Sequence, residues 1–293
     1  MFFVYRILTN LILVFSPIII LVRLLKKKEH PTRFKEKFGF YSKKKISGKL
    51  IWLHGASVGE ILSIVPLVEK LENNKKIKQI LITSNTLSSS KILSNLKLKK
   101  TIHQFFPIDT DYHTQKFLNY WKPSIAIFVD SEIWPNMISN IKKKSISLML
   151  MNARITQKSY KRWKIFPLIA KKNFRSFDIC LSSSKKTSQY LRLLGVKKIK
   201  NIGNLKFTES ENIKNNLDRG LKKFFLSKNI WCASSTHNKE ELICANIHKK
   251  LKGKHKNLLT VIIPRHINRT NEIIVALDNI GLNSIRHSSN IKL

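Results

Sequence analysis

The sequence has little cysteine, and its cysteines follow no recognisable pattern. Cys180, Cys232 and Cys244 are the three present, an odd number with no C-x-x-C pair and no spacing to histidine that suits a metal. We therefore expect reduced, mostly buried thiols in a cytosolic compartment. Nothing in this pattern predicts a disulfide framework or a zinc site.

Acidic residues are also scarce. The chain has 17 Asp and Glu against 55 Lys and Arg, for a net charge of +38. Such a charge attracts nucleic acid, anionic lipid, or small molecules that carry phosphate and carboxylate. The charge is spread along the chain, so we attribute most of it to a compositional bias that also enriches Ile and Asn. No basic helix with interleaved aromatic residues and no known nucleic-acid module occurs, so we predict no nucleic-acid partner.

The first 25 residues lack the small-x-small site of a cleaved signal peptide, which weakens that alternative. Residues 7–22 form a nearly unbroken apolar run between Arg6 and Arg23. At ~1.5 Å per residue the run is slightly short for a ~30 Å hydrocarbon core, but flanking apolar residues and snorkelling arginines close the gap. We predict a single N-terminal membrane anchor over residues 1–25.

A basic segment follows the apolar run directly. It contains Lys26, Lys27, Lys28, Arg33, Lys35 and Lys37. Positive charge beside an apolar segment favours the cytoplasmic side, which places the bulk of the chain in the cytoplasm. We predict that this segment lies on the anionic inner leaflet of the cell inner membrane.

From residue 50 onwards the chain alternates apolar runs with helical patterns, which is typical of βαβ units and a parallel sheet. The apolar stripe of Trp163, Phe166 and Ile169 predicts one helix over Ser159–Phe174. The predicted strands are Leu50–Leu53, Gln79–Ser84, Ile102–Pro107, Ile125–Val129, Ile146–Met151, Asp178–Ser182 and Ile199–Ile202.

A polar stretch from Gly203 to about Lys228 predicts a boundary between two domains. A shorter alternation follows, with strands at Ile230–Ala233 and Leu258–Ile263 and a helix over Ile273–Ile280. These two βα units leave a small sheet with an unfinished edge. We predict four parts: the anchor over 1–25, a basic linker over 26–49, a first α/β domain over 50–205 and a partial second one over 206–293.

The segment His54–Glu60 joins the first predicted strand to a helix. Its glycines allow a tight turn, and Glu60 falls in the first helical turn, where the helix dipole favours a negative charge. In open α/β sheets ligands bind at the carboxyl ends of the strands. Glu60 is therefore a candidate general base, and the alternative is that it only complements the helix dipole.

Six blocks of sequence, in this order, resemble the Kdo (3-deoxy-D-manno-octulosonic acid) transferases of lipid A assembly. They are His54–Glu60, Asp130–Asn136, Asn152–Arg154, Gly203–Phe207, Ser235–His237 with Glu240 and Glu241, and Pro264–His266 with Arg269. The resemblance covers residues 1 to about 290. It implies a GT-B-like α/β fold, with a complete N-terminal Rossmann-like domain and a partial second one after the membrane helix. It also implies transfer of Kdo from CMP-Kdo to a hydroxyl of the lipid A precursor, with inversion.

The resemblance also implies roles for residues in the first domain. Glu60 matches the catalytic glutamate of the family. Asp130 matches a position, usually Glu, to which transition-state stabilisation is ascribed, and the shorter side chain reduces its reach. On an extended segment Asp130 and Glu132 would point the same way and sense each other's charge. The alternative is that both cap the turn before Trp134. Arg154 is equally suited to an acceptor phosphate and to a salt bridge, and a lone histidine such as His54 is more often structural.

Towards the C-terminus, Lys206 matches a family lysine that stabilises developing charge, and its alternative is a solvated surface lysine. Pro264 and Arg265 match the pair at the CMP site, where an arginine fork suits phosphate. Ser235 fits a helix N-cap better than a ligand contact.

We therefore predict a membrane-anchored glycosyltransferase that uses Glu60, Asp130 and Lys206 for catalysis and Pro264 with Arg265 for donor binding. Its expected partners are CMP-Kdo as a substrate, the lipid A precursor and anionic inner-membrane lipid, with no metal and no cofactor. Family segments of the Gly-Glu-Leu and Gly-His-Asn-Pro types, which contact CMP, are absent from the sequence. The alternative is accordingly a truncated, inactive remnant that acts as a basic membrane-associated binding protein.

Overall fold

The computed structural model describes residues 2–96, 98–205 and 219–286. The chain divides into two compact units, residues 1–213 and 214–293. Lys206, one of the predicted catalytic residues, lies outside the described residues, as does about half of the predicted domain boundary.

Unit one contains a seven-stranded parallel sheet in the order β3-β2-β1-β4-β5-β6-β7. The strands are β1 (Leu50–His54), β2 (Gln79–Ser84), β3 (Thr101–Phe105), β4 (Ile125–Val129), β5 (Ser147–Ala153), β6 (Ile179–Ser182) and β7 (Ile199–Asn201). The helices are α1 (Phe2–Leu25), α2 (Val58–Glu72), α3 (Leu87–Asn95), α4 (Asp111–Trp121), α5 (Pro135–Lys143), α6 (Gln157–Ile165), α7 (Pro167–Phe174) and α8 (Lys185–Leu193).

The central strands are apolar on both faces because helices cover both sides of the sheet. Leu50 and Trp52 of β1 pack into one hydrophobic cluster with residues of α4 and α5. Ile51 and Leu53, which point the opposite way, pack into a second cluster with residues of α2. This doubly buried pattern is what a parallel sheet requires, and it confirms the predicted α/β class.

The strand order reverses between β1 and β4, which pair in parallel with His54 opposite Phe128. Their following segments diverge to opposite sides of the sheet at such a point, and open α/β folds bind ligands in the crevice that this creates. The predicted site segments after β1 and β4 therefore flank the switch point of the sheet.

The prediction of one uninterrupted helix after β5 is wrong. The segment expected to form a single helix over Ser159–Phe174 is two helices, α6 and α7, which break at Phe166. Pro167 has no N–H to donate, and its ring disfavours helical geometry at the residue before it. The chain restarts as α7 with Pro167 in the first turn, where proline is tolerated.

The residues between α1 and β1 form more than a linker. A 3₁₀ turn over Arg33–Phe38 brings the buried Glu36 to the edge strand β3, where its carboxylate accepts the N–H of Phe105 at 2.9 Å. Arg33 pairs with Glu36 at 2.7 Å and donates to the carbonyl of His103 at 2.9 Å. This segment thereby covers an edge that would otherwise expose unpaired backbone groups.

Unit two has a parallel pair of strands, β8 (Asn229–Thr236) and β9 (Leu258–Pro264). Its helices are α9 (Arg219–Leu226), α10 (Glu240–Lys252) and α11 (Thr270–Asp278). Its buried apolar cluster consists of Ala245, Ile273 and Leu277. Two strands with a cluster of this size bury little apolar surface, so we expect unit two to be marginally stable.

Candidate active site at the carboxyl edge of the first sheet

Glu60 sits in the first turn of α2 and is hydrogen-bonded to Ser57, the N-cap residue of this helix. The Ser57 side chain accepts from the N–H of Glu60 at 3.4 Å, and the Ser57 hydroxyl donates to Oε1 of Glu60 at 2.9 Å. The N–H of Ala56 donates to Oε2 at 2.7 Å. These contacts fix the carboxylate at the carboxyl end of β1 and satisfy donors that a helix start leaves open.

Despite these hydrogen bonds, the pKa of Glu60 is raised. Burial is the main cause, and the negative charge of Glu132 is the second. The hydrogen bonds from Ser57 and Ala56 oppose the shift, and Asp130 adds a smaller upward contribution. A carboxylate with a raised pKa is a stronger base than a free one, which suits proton abstraction from a hydroxyl.

The segment after β4 brings two more carboxylates to the same edge, but in a turn. Asp130 is buried and has φ 62°, in the left-handed region that Asp tolerates better than most residues. The expectation that Asp130 and Glu132 share one side of an extended segment is therefore wrong. Of the two, Glu132 has the larger effect on the pKa of Glu60.

The helix that follows this turn, α5, begins on a different carboxylate. The N–H groups of Asn136 and Met137, which open α5, donate to the carboxylate of Asp109 at 3.1 and 2.8 Å. Glu132 instead accepts from the indole N–H of Trp134 at 2.8 Å.

His54 is fully buried beside this loop, in agreement with a structural role. Its Nδ1 lies 3.0 Å from the hydroxyl of Thr83, and its Nε2 lies 3.1 Å from the indole nitrogen of Trp134 and 3.4 Å from Glu132. Its ring stacks on Phe106 with centroids 3.9 Å apart. His54 therefore orients Trp134 and Glu132, and through them the surroundings of Glu60.

Asn152, at the end of β5, also has a left-handed backbone with φ 51°. Its side-chain oxygen accepts the N–H of Leu205 at 3.1 Å, which ties the segment just before Lys206 to the carboxyl edge of the sheet. Arg154 follows on the same edge and is exposed, and no carboxylate in the described residues pairs with its side chain. A ligand contact for Arg154 stays a prediction.

In unit two, Pro264 and Arg265 end β9 at its carboxyl edge. The N–H of Arg265 donates to the carbonyl of Thr236 at 3.0 Å, and its side chain is exposed without a protein partner among the described residues. Arg269, by contrast, pairs with Glu241 at 3.1 Å. Of these two arginines, Arg265 alone is thus available to a ligand.

The expected helix cap at Ser235 is wrong. Ser235 has φ 60°, and α10 begins five residues later at Glu240, without a side-chain cap. Glu240 instead accepts the N–H of His237 at 2.8 Å. Ser235 instead lies within β8, where the register with β9 shifts between Ser234 and Thr236.

No group of three or more His, Cys, Asp or Glu side chains within residues 2–96, 98–205 and 219–286 is arranged to hold a metal ion. Reaction without a metal or cofactor stays a prediction.

A family described as 3-deoxy-D-manno-octulosonic-acid transferase (kdotransferase) matches residues 32–209. The chain belongs to this family. A 3-deoxy-D-manno-octulosonic acid transferase of Rickettsia bellii is 36% identical over 276 residues, which is 92% of this chain and 65% of that protein. One of Haemophilus influenzae is 28% identical over 290 residues, 96% of this chain and 68% of that protein. The chain thus spans about two thirds of the length of these Kdo transferases.

Solved structures support the fold independently. A UDP-GlcNAc 2-epimerase of Neisseria meningitidis, bound to UDP-GlcNAc, aligns with a TM-score of 0.57 at 14% identity, covering 82% of this chain and 72% of that chain. At this identity the likeness concerns the fold alone. The predicted GT-B-like α/β fold is confirmed, and so is the resemblance to the Kdo transferases.

The sequence did not point to Asp109, which helps to organise this edge, and it marked Asn152 only as part of a block that resembles the Kdo transferases. Asp109 is buried, and this burial raises its pKa to about 6. Hydrogen bonds from Tyr5, Met137 and Asn136 lower the pKa and so oppose the shift. Its partner Asn136 is 27 residues away, so no local pattern could reveal the contact. Asn152 was within a recognised block, and a positive φ is more common for Asn than for most residues, which was the available signal.

Proposed function

We propose that this chain transfers Kdo from CMP-Kdo to the lipid A precursor, with inversion, and that Glu60 is the general base. Membership of the Kdo transferase family supports the sugar and the reaction class. The identity of donor and acceptor, the stereochemistry and the role of Glu60 are our proposal.

The chemistry requires a base on the acceptor side and positive charge on the donor side. Glu60 would take the proton of an acceptor hydroxyl as its oxygen bonds to the anomeric carbon of Kdo. The bond between that carbon and the phosphate oxygen breaks, and CMP leaves with the electron pair. Arg265, exposed and without a protein partner in the described residues of unit two, can bind the departing phosphate, and Lys206 would share this task.

The observation that carries the proposal is the environment of Glu60. Its carboxylate is half-buried at the switch point of the sheet, is fixed by two hydrogen bonds, and has a pKa raised by burial and by Glu132. A group that only completes a helix cap gains nothing from two further carboxylates on the neighbouring strand end. A general base gains basicity from them.

One observation favours the second candidate, a non-catalytic, basic, membrane-associated binding protein. Both carboxylate oxygens of Glu60 are engaged in the cap of α2, which is a complete structural role by itself. In this case the raised pKa of Glu60 would be a consequence of burial without a catalytic use.

Glu60→Gln separates the two roles. The amide oxygen of glutamine can still accept the N–H of Ala56, but glutamine cannot accept a proton at neutral pH. We expect Kdo transfer to a lipid A precursor, measured with the full chain in membranes, to fall by about 10²- to 10⁴-fold while the melting temperature changes little.

Ser57→Ala is the matched control. It removes the cap and keeps the carboxylate, so it should cost about 1 kcal/mol of stability and leave most of the transfer activity. If Glu60→Gln and wild type show the same transfer rate, Glu60 is not the base. If neither transfers Kdo above background, the binding-protein candidate is favoured.

A further inference from the structure

The N-terminal helix α1 is packed along unit one. One face of α1 points inwards: Thr9, Ser16 and Ile20 are buried, while Tyr5 and Leu13 are half-buried. The rest of the helix surface is exposed and largely apolar, and it includes Val4, Leu8, Ile12, Phe15, Ile19 and Val22. Opposite the inward face, its centre is an apolar stripe that repeats every three or four residues, as one side of a helix does. The stripe consists of Phe3, Ile7, Leu11, Val14, Ile18, Leu21 and Leu25.

The first two turns of α1 are held to the globular part by polar contacts. Six residues make these contacts, and we call them the N-terminal clamp: Tyr5, Arg6, Thr9, Asp109, Asp111 and Asn136. The Tyr5 hydroxyl donates to Asp109 at 2.7 Å, and Arg6 pairs with Asp111 at 2.6 Å. Asn136 donates to the Thr9 hydroxyl at 3.4 Å.

The other end of α1 is held as well. Arg23 donates to the buried carboxylate of Glu29 at 3.0 Å, and Lys37 binds the same carboxylate at 2.6 Å. Both ends of the helix therefore contact the same globular unit.

These contacts conflict with a transmembrane orientation. By length and composition Phe3–Leu25 could cross a membrane, with a mean hydropathy of 2.3. Arg6 and Arg23 are 17 residues apart, or ~25 Å along a helix, which approaches the ~30 Å of the hydrocarbon core. A spanning helix would place Arg6 across the membrane from Asp111, whereas the structure pairs them.

We propose that α1 is an in-plane membrane helix: the N-terminal clamp holds it against unit one, and its apolar stripe lies in the surface of an anionic bilayer. Tyr5, Arg6 and Thr9 all face unit one, so the exposed apolar surface of α1, with its cationic flanks, is left to contact the boundary between headgroups and acyl chains. Lys26, Lys27 and Lys28 follow α1 directly and are all exposed, which complements anionic headgroups. The predicted membrane attachment is kept, but in this geometry the anchor does not span.

The N-terminal clamp also connects the bilayer surface to the candidate active site. Asp109 binds Tyr5 of α1 and, with the same carboxylate, the first N–H groups of α5. Trp134, which binds Glu132, directly precedes α5. An in-plane α1 would thus fix the acidic loop after β4 relative to the lipid surface.

The decisive test compares the two ends of α1. Arg6→Cys and Lys27→Cys are each made in a Cys232→Ser, Cys244→Ser background and treated with a membrane-impermeant maleimide, in intact spheroplasts and after lysis. An in-plane helix leaves both positions on the same side, so both react only after lysis. A spanning helix puts them on opposite sides, so one reacts in intact spheroplasts and the other does not, and that result would overturn the proposal.

A second measurement examines the clamp in membranes. Arg6→Cys with Asp111→Cys should be joined by a short bismaleimide, because their side chains meet at partly exposed positions. The control pair is Leu8→Cys with Asp111→Cys, since Leu8 is 53% exposed on the outer side of the helix. Equal cross-linking of both pairs, or of neither, contradicts docking.

The lipid partner is tested with vesicles. Binding of the full chain to vesicles that contain phosphatidylglycerol should exceed binding to neutral phosphatidylcholine vesicles. Substituting Lys26, Lys27 and Lys28 by Gln should weaken binding to the anionic vesicles on the order of 100-fold. Equal binding to both vesicle types, unaffected by the substitutions, would show that the surface is not selected by charge.

Discussion

The carboxyl edges of the two sheets are built differently, although both follow parallel strands. In unit one, helices α2, α3, α4, α6 and α8 each begin on a Ser or Thr whose side chain accepts a backbone N–H. In unit two, α10 and α11 begin without a side-chain cap. Unit one also has a hydrophobic cluster on each face of its sheet, against a small cluster in unit two. The surroundings of Glu60 in unit one are thus supported by helix caps and buried packing, while Arg265 in unit two follows a strand with less support of either kind.

The largest expected effect tests the difference in stability between the two units. Trp52→Ala empties the centre of the larger cluster and leaves the Thr83 hydroxyl without the indole N–H that binds it at 2.9 Å. We expect a loss of about 3–5 kcal/mol in the free energy of unfolding of unit one, measured by urea denaturation. Hydrogen exchange should then lose its slowest amides in β1 and β4.

Leu277→Ala is the matched change in unit two. Its cluster is small and Leu277 is already 9% exposed, so the cost should be near the lower end for such a change, about 2 kcal/mol. Exchange in unit one should be unchanged. Equal global destabilisation by both variants would show that the two units unfold as one.

A smaller effect is expected where a side chain of unit one holds a helix start. Asp109→Ala leaves the first N–H groups of α5 and the Tyr5 hydroxyl without their acceptor. Because Asp109 is buried, the expected cost is about 2–3 kcal/mol by denaturant unfolding. Asp111→Ala, whose ion pair with Arg6 is partly exposed, should cost about 1 kcal/mol or less. Equal costs would contradict the importance of the buried cap.

Two of the arginines in unit two, Arg265 and Arg269, sharpen the comparison at the donor side. Under the proposed function, Arg265→Ala should raise the KM for CMP-Kdo by about 10- to 100-fold, since a charge-assisted phosphate contact is lost. Arg269→Gln should lower the melting temperature instead, because its partner Glu241 is buried and would lose its cation. A KM unchanged by Arg265→Ala would remove Arg265 from the donor site.

The strands of both units could be predicted because each is a short apolar run bounded by polar residues. Gln79–Ser84 and Ile125–Val129 match the structure at both ends, since burial on both faces leaves little freedom in their composition. The break at Pro167 was also present as a local signal, in the restriction that proline imposes on the preceding residue.

The contacts that set the pKa of Glu60 could not be predicted from the sequence in this way. The greater influence of Glu132 than of Asp130 on Glu60 depends on a left-handed turn at Asp130 and on two strands that are adjacent only in space. The N-terminal clamp likewise joins residues more than 100 positions apart. Motifs located Glu60, whereas its surroundings required the fold.

The smallest expected effect concerns the pH dependence of activity at the Glu60 site. The negative charge of Glu132 opposes ionisation of Glu60 and so helps to raise its pKa. Glu132→Gln should lower that pKa, and because the base must be ionised, the acidic limb of kcat/KM should move to lower pH. Glutamine can still accept from Trp134, so the loop should keep its conformation.

The raised pKa of Glu60 also determines how the stability of the folded state changes with pH. A carboxyl whose pKa is raised on folding stabilises the folded state most below its unfolded pKa, and this contribution is lost as the pH rises through the folded pKa. Glu132→Gln should therefore reduce the loss of stability on raising the pH through this range, as seen in melting temperatures. Asp130→Asn is the control and should shift both profiles in the same direction but less, because Asp130 contributes less to the pKa of Glu60. A shift to higher pH in Glu132→Gln would show that this glutamate does not act on Glu60 through its charge.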